Sequence, residues 1–230
     1  MDQHLSNVLY AASTWIIPVL LAVTLHEAAH GFVARYFGDN TAWLQGRVTL
    51  NPFKHIDPFG TVLLPAFLLL VRSPFLFGYA KPVPVNFRAL RNPLRDMVWV
   101  ALAGPGMNIA LAIAAALLFH LVPYLPGNVA PWVAQNLGNA IVINVVLAVF
   151  NMIPLPPLDG GRVAVGLLPS AIAKPLQELE PYGMMILIGL IFILPLIGQN
   201  LGVDLNVLSW LISNAAGPII QAIAKLAGAT

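Results

Sequence analysis

The chain has 230 residues, of which 59% are hydrophobic and only 9% charged; its mean hydropathy of +0.83 excludes an ordinary soluble domain. Eleven Lys and Arg against nine Asp and Glu leave a net charge of +2, too small to indicate a nucleic-acid partner. Cysteine is absent, so there is neither a disulfide framework nor thiolate chemistry.

The first residues, MDQHLSNVLYAAS, lack the basic n-region of a secretory signal, and the apolar run behind them outlasts an h-region; they are expected to stay as the first membrane span. About 20 apolar residues suffice to cross a hydrocarbon core about 30 Å thick. Five such stretches occur, at about 11–37, 96–122, 132–153, 182–200 and 205–227. A sixth run, 59–71, is shorter and carries Pro65 near its centre, so a re-entrant segment is expected there, with a full crossing as the alternative. On this count all eleven basic residues, from Arg35 to Lys225, fall on one side. The positive-inside bias makes that side the cytoplasm, with the N-terminus outside and the C-terminus inside.

Between the first two spans, residues 39–95 are repeatedly broken by Gly and Pro. LQGRVTLNP and GYAKPVPVNF contain short alternating runs, read as strands or hairpins at the cytoplasmic face with an edge free to pair with an extended peptide. The expected fold is therefore an all-α polytopic membrane protein of five to six transmembrane helices, with a re-entrant segment and short membrane-associated β-hairpins. It forms one domain over 1–230, with a core at about 11–170 and C-terminal helices at about 181–227.

The chemistry-bearing residues begin in LHEAAHGFVARYFGD, residues 25–39. His26 and His30 are four apart, so on a helix they share a face and can grip one metal ion. Glu27, beside the first histidine, is placed to act as a general base. The plainer alternative is a set of polar groups satisfied within a helix bundle. Ionisable residues inside membrane spans usually mark function instead. If Arg35 marks the interface, His26 lies roughly 13 Å deeper at 1.5 Å per residue.

A catalytic zinc has three protein ligands and an open position. The third candidate is Asp159 in NMIPLPPLDGGR, residues 151–162, where Pro154, Pro156 and Pro157 prevent a regular helix. The alternative for Asp159 is a helix-start turn shared with Arg162. Asn151 and Asn108 are candidate hydrogen-bond donors to a peptide carbonyl or developing oxyanion, the alternative being polar glue between helices. His55 either approaches the site or stabilises its loop. Gly104 and Gly106 are expected to permit close helix packing.

Taken together and in order, HEAAHGFVARYFGD, NPFKHIDPFGT, GYAKPVPVN, LAGPGMN and NMIPLPPLDGGR resemble the site-2 protease family of intramembrane zinc metalloproteases, over about residues 20–170. The resemblance implies one Zn²⁺ per chain on His26, His30 and Asp159, with Glu27 as the catalytic glutamate. It also implies hydrolysis of peptide bonds in or near transmembrane segments of single-pass substrates, which must unwind locally. Family members often carry a PDZ-like or CBS-type domain; this chain has room for neither, and a part in substrate access is assigned instead to the loop 72–93. The expected location is a prokaryotic plasma membrane, with the site nearer the cytoplasm and no nucleic-acid partner. The competing readings are a divalent-metal transporter, which needs ligands along a path to both faces, and a structural zinc protein, which needs four ligands.

Overall fold

The computed structural model describes residues 2–70 and 80–228. Helix α1, Asp2–Tyr36, carries the histidines. It stops where Gly38 takes φ of 110°, a value open to glycine alone among common residues. The buried Asp39 carboxylate then accepts the N–H groups of Thr41 and Asn86. After α2, Thr41–Leu44, and a loop, Asp57 caps a π-helical turn, Pro58–Leu63, that runs into α3, Leu64–Leu70. From Pro58 to Leu70 the described part of this helix rises about 20 Å.

The central helix is α4, Pro93–Leu118, which packs against α1, against α5, Ala130–Asn151, and against the short α6, Asp159–Leu167. These contacts are built on small residues: Ala22, Ala28, Ala101, Ala112 and Ala116 are buried almost completely. Between helices in a membrane, close backbone approach supplies the van der Waals contact that the hydrophobic effect no longer drives. Gly104 fits this pattern and Gly106 does not, since Gly106 faces open space. Helix α7, Ser170–Glu178, leads to α8, Gly183–Ile188, which continues through a π-helical turn into α9, Leu194–Leu201. Helix α10, Val207–Leu226, closes the chain. Among the described residues, five helices are long and apolar enough to cross a membrane: Leu9–Tyr36, Pro93–Tyr124, Ala130–Asn151, Ser170–Leu201 and Val207–Leu226.

Two expectations need correction. Among the described residues there is no β-strand, so the hairpins are absent. Residues 45–51 form turns and bends, and 80–86 run extended without a partner strand; Gly78 and Tyr79 lie outside the described residues, as does the first part of the loop 72–93. The cause is chemical: Pro82 and Pro84 remove two ladder donors, and side chains take the remaining backbone groups. Arg47 Nη2 donates to the Lys81 and Pro82 carbonyls, Glu27 accepts from Val83 N, and Asp39 accepts from Asn86 N.

The second correction concerns the direction of the last helix. Helix α1 begins beside the start of α5, where Trp132 Nε1 donates to Ser13 Oγ and Asn139 Nδ2 to the Thr14 carbonyl. The last turn of α10 reaches this same end, because the Ala227 carbonyl is hydrogen-bonded to His120, just beyond α4. We call this end the far face and the opposite one the metal-site face. The two ends of the described chain thus share a face, whereas the expected alternation put them on opposite ones. At the metal-site face Gly183 is wedged against Pro156 and Pro157, and Leu208 and Ser209 of α10 line a cavity with His55 and Phe150. Lys225 therefore does not lie with the other basic residues.

Candidate metal centre

His26 and His30 project from one face of α1 toward α4 and α6. Asp159 is the first residue of α6, a position where the helix dipole favours a carboxylate. The proline-broken turn before it packs so tightly that side chains on Gly160 or Gly161 would collide with the backbone of 152–156. This fixes where α6 starts and aims Asp159 at α1. Arg162 lies in the same first turn of α6 as Asp159, but its guanidinium pairs with Glu180, at 3.6 Å.

All three candidate ligands are buried. Each histidine Nε2 lies 3.3 Å from Asp159 Oδ2, and the two Nε2 atoms are 3.1 Å apart. Hydrogen-bond accounting assigns the protons. Asn144 Nδ2 donates to the Ala140 carbonyl at 2.8 Å, leaving Asn144 Oδ1 to accept from Asn108 Nδ2, also at 2.8 Å. Asn108 Nδ2 donates to the Ala22 carbonyl as well, so Asn108 Oδ1 is the atom that meets His26 Nδ1 at 2.6 Å. His26 must then carry its proton on Nδ1. His30 Nδ1 faces the Val100 carbonyl at 2.7 Å and must do the same.

Both Nε2 atoms consequently turn lone pairs toward the carboxylate, and Asp159 Oδ2 is buried without a hydrogen-bond donor. The short histidine–aspartate distances are therefore contacts between three acceptors, a repulsive arrangement that a cation among them reverses. Two imidazoles and a carboxylate, able to reach one point together, are a donor set suited to zinc. A metal ion among the three groups keeps this buried carboxylate ionised.

The floor of the site is Gly104. A Cβ there would stand 2.6 Å from His26 Nε2 and closer still to His30 Nε2. Glu27 is half-buried on the adjoining face of α1, and its Oε2 accepts Val83 N–H at 2.7 Å.

The other sequence candidates are placed differently. Asn108 is fully buried and has its oxygen and both donors engaged in orienting His26. Asn151 donates to the Leu147 carbonyl of its own helix. His55 is buried in its loop with Nε2 facing the Thr49 carbonyl, while Lys81 N donates to its backbone oxygen. Sequence reasoning missed Asn144, Val83 and the contact role of Gly104. Two of these act through spatial partners, and Val83 acts through its backbone, which carries no residue-type signal.

Comparison with known proteins bears on the same residues. The chain is 38% identical over 200 residues to "Putative zinc metalloprotease YwhC" of Bacillus subtilis (strain 168), covering 85% of this chain and 87% of that protein. It belongs to peptidase family M50, the site-2 protease family. A profile of that family matches residues 122–196, which contain Asp159. Two more distant members bear names of the same kind. Rip2 of Mycolicibacterium smegmatis is 28% identical over 174 residues, covering 75% of this chain and 64% of its own length. MJ0611 of Methanocaldococcus jannaschii is 30% identical over 152 residues, covering 64% and 67%. No solved structure gives a significant match.

Proposed function

We propose that the chain is a zinc-dependent intramembrane endopeptidase in which His26, His30 and Asp159 hold one zinc ion and Glu27 is the general base. Its substrates are transmembrane segments of single-pass proteins. The observation that carries this reading is the convergence of three buried lone pairs beside a glutamate on the next face of the same helix. Three ligands leave a tetrahedral ion one open position, the catalytic rather than the structural pattern. When bound, zinc supplies Lewis acidity, polarising a carbonyl and making water nucleophilic near neutral pH.

The chain's own groups do the rest. Glu27 sits about 100° around α1 from His26, and its carboxylate accepts the proton of the attacking water and returns it to the leaving amine. Val83 N–H holds that carboxylate in place. A helical substrate hides its carbonyls in hydrogen bonds, so it must unwind before attack, which favours Gly, Pro or Asn near the cut.

The test is to purify the protein in detergent, quantify zinc, and assay a panel of single-pass segments with and without chelator. We expect about one zinc per chain and chelator-sensitive cutting. Metal flux through reconstituted vesicles without any cutting would defeat the reading.

The chain Asn144–Asn108–His26 gives a further expectation. Hydrogen-bond partners behind a metal ligand typically control 10–100-fold in affinity. Asn144→Leu frees the Asn108 amide to rotate and should weaken zinc binding by about that factor, as read by chelator competition. It should also mix the His26 tautomers in the zinc-free protein, as read by ¹⁵N NMR. Unchanged affinity and a single tautomer would reduce Asn144 to helix glue.

Orientation follows from charge. The described basic residues other than Lys225 belong to segments at the metal-site face, so that face is cytoplasmic and both chain ends lie outside. Alkaline phosphatase fused after Thr230 should be active in cells; a fluorescent GFP fusion at that position would reverse the assignment.

A further inference from the structure

A cavity of about 610 Å³ lies between α1, α5 and α10, walled by residues that include Val23, Thr24, Leu147, Phe150, Ser209 and Ser213. Its position on α1 is informative. At about 100° per residue, Thr24 lies about 60° to one side of the direction in which Glu27 points and Val23 about 40° to the other, between Glu27 and the two histidines. The chamber runs from the loop at the metal-site face, where His55 and Ala80 line it, past Thr24 and Val23, one turn from Glu27, to Val19 on the far-face side. Ala80, in the extended segment whose Val83 N–H holds Glu27, completes the link between chamber and carboxylate.

Size and lining together select an occupant. A transmembrane helix about 30 Å long and 10 Å across fills roughly 2,400 Å³, about four times the chamber. The space matches a few residues of unwound chain rather than a whole helix. Unwound chain in hydrocarbon has backbone N–H and C=O groups without partners, which is unfavourable unless protein groups meet them. The chamber is mostly apolar, yet Thr24, Ser209 and Ser213 place hydroxyls on its walls, the two serines four residues apart on one face of α10.

Building on the protease reading, we propose that this chamber is the subsite for the short unwound stretch just on the far-face side of the scissile bond. Its walls take that stretch's apolar side chains, and its hydroxyls bond the exposed backbone. Selectivity then resides in the few residues that follow the cut toward the far face. Bulky apolar residues there bind better than alanine.

The test uses the full-length zinc-loaded protein and two single-pass segments that differ only in those residues, leucine in one and alanine in the other. Wild type should cut the leucine segment with the higher kcat/KM. Leu147→Trp fills the chamber and should lower the leucine-to-alanine ratio of kcat/KM by about tenfold or more, within the range that one methylene commands in an apolar pocket. Leu147→Ala enlarges it and should shift the preference toward phenylalanine, so the idea stays testable if the tryptophan variant does not fold. Zinc content reports folding in both. Ratios unchanged in the variants that fold would overturn the subsite while leaving the protease reading intact. A wild type that cuts no segment would instead overturn that reading.

Discussion

Glu27→Gln should abolish proteolysis while zinc stays bound. The substitution keeps the size and hydrogen-bonding reach of the side chain, so the amide oxygen can still accept Val83 N–H, which now meets Glu27 Oε2 at 2.7 Å. It removes only the ability to accept a proton from water and return it to the amine. General acid–base groups contribute about 10²–10⁴ in rate, equivalent to roughly 3–5 kcal/mol of barrier. Because Glu27 is not one of the three groups that reach a common metal position, zinc content should equal wild type within error. The measurement pairs turnover of a mapped segment with metal analysis on one preparation. Cutting within tenfold of wild type would remove Glu27 from the chemistry. Lost zinc together with lost cutting would make it a structural support of the site.

Which parts of this site were legible in the sequence depends on how each is held. His26 and His30 could be read because a helix converts a spacing of four into a shared face. Asp159 stood out because three prolines force irregular backbone at membrane depth, where only protein or a wet cavity can satisfy it. Asn144 had no such mark: it is one of several amides in α5, and only its bond to Asn108 across two helices separates it from Asn139, which bonds α1 at the far face. The strand expected in GYAKPVPVNF misled because alternating valine and proline imitate a period of two. The prolines themselves carried the correction, since a ladder cannot form where its donors are missing. The direction of α10 was illegible for a different reason. Hydropathy reports the length of a span and not its sense, and the decisive contact, His120 with the Ala227 carbonyl, joins residues far apart in sequence.

Gly104→Ala and Gly106→Ala, two apparently equal changes within the same GPG triplet, should have opposite outcomes. Both replace glycine by a better helix former, a gain of up to about 1 kcal/mol in a helix interior. At Gly106 the new methyl meets nothing within 4 Å, so zinc content and cutting should persist with stability equal or slightly raised. At Gly104 the methyl would come to 2.6 Å from His26 Nε2 and nearer still to His30 Nε2. The backbone of α4 cannot yield easily, because the same helix holds Val100 O against His30 Nδ1 and Asn108 against His26 Nδ1. Relief therefore requires the imidazoles to leave those partners or α1 to move away from α4. Overpacking of this kind typically costs about 1–3 kcal/mol, and here it falls on atoms whose placement must hold to about 0.5 Å for function. Gly104→Ala should leave the helices folded by circular dichroism, lose most of its zinc on dialysis, and cut no segment. If it retains zinc and activity at the wild-type level, the imidazoles do not occupy the position from which the metal centre has been built.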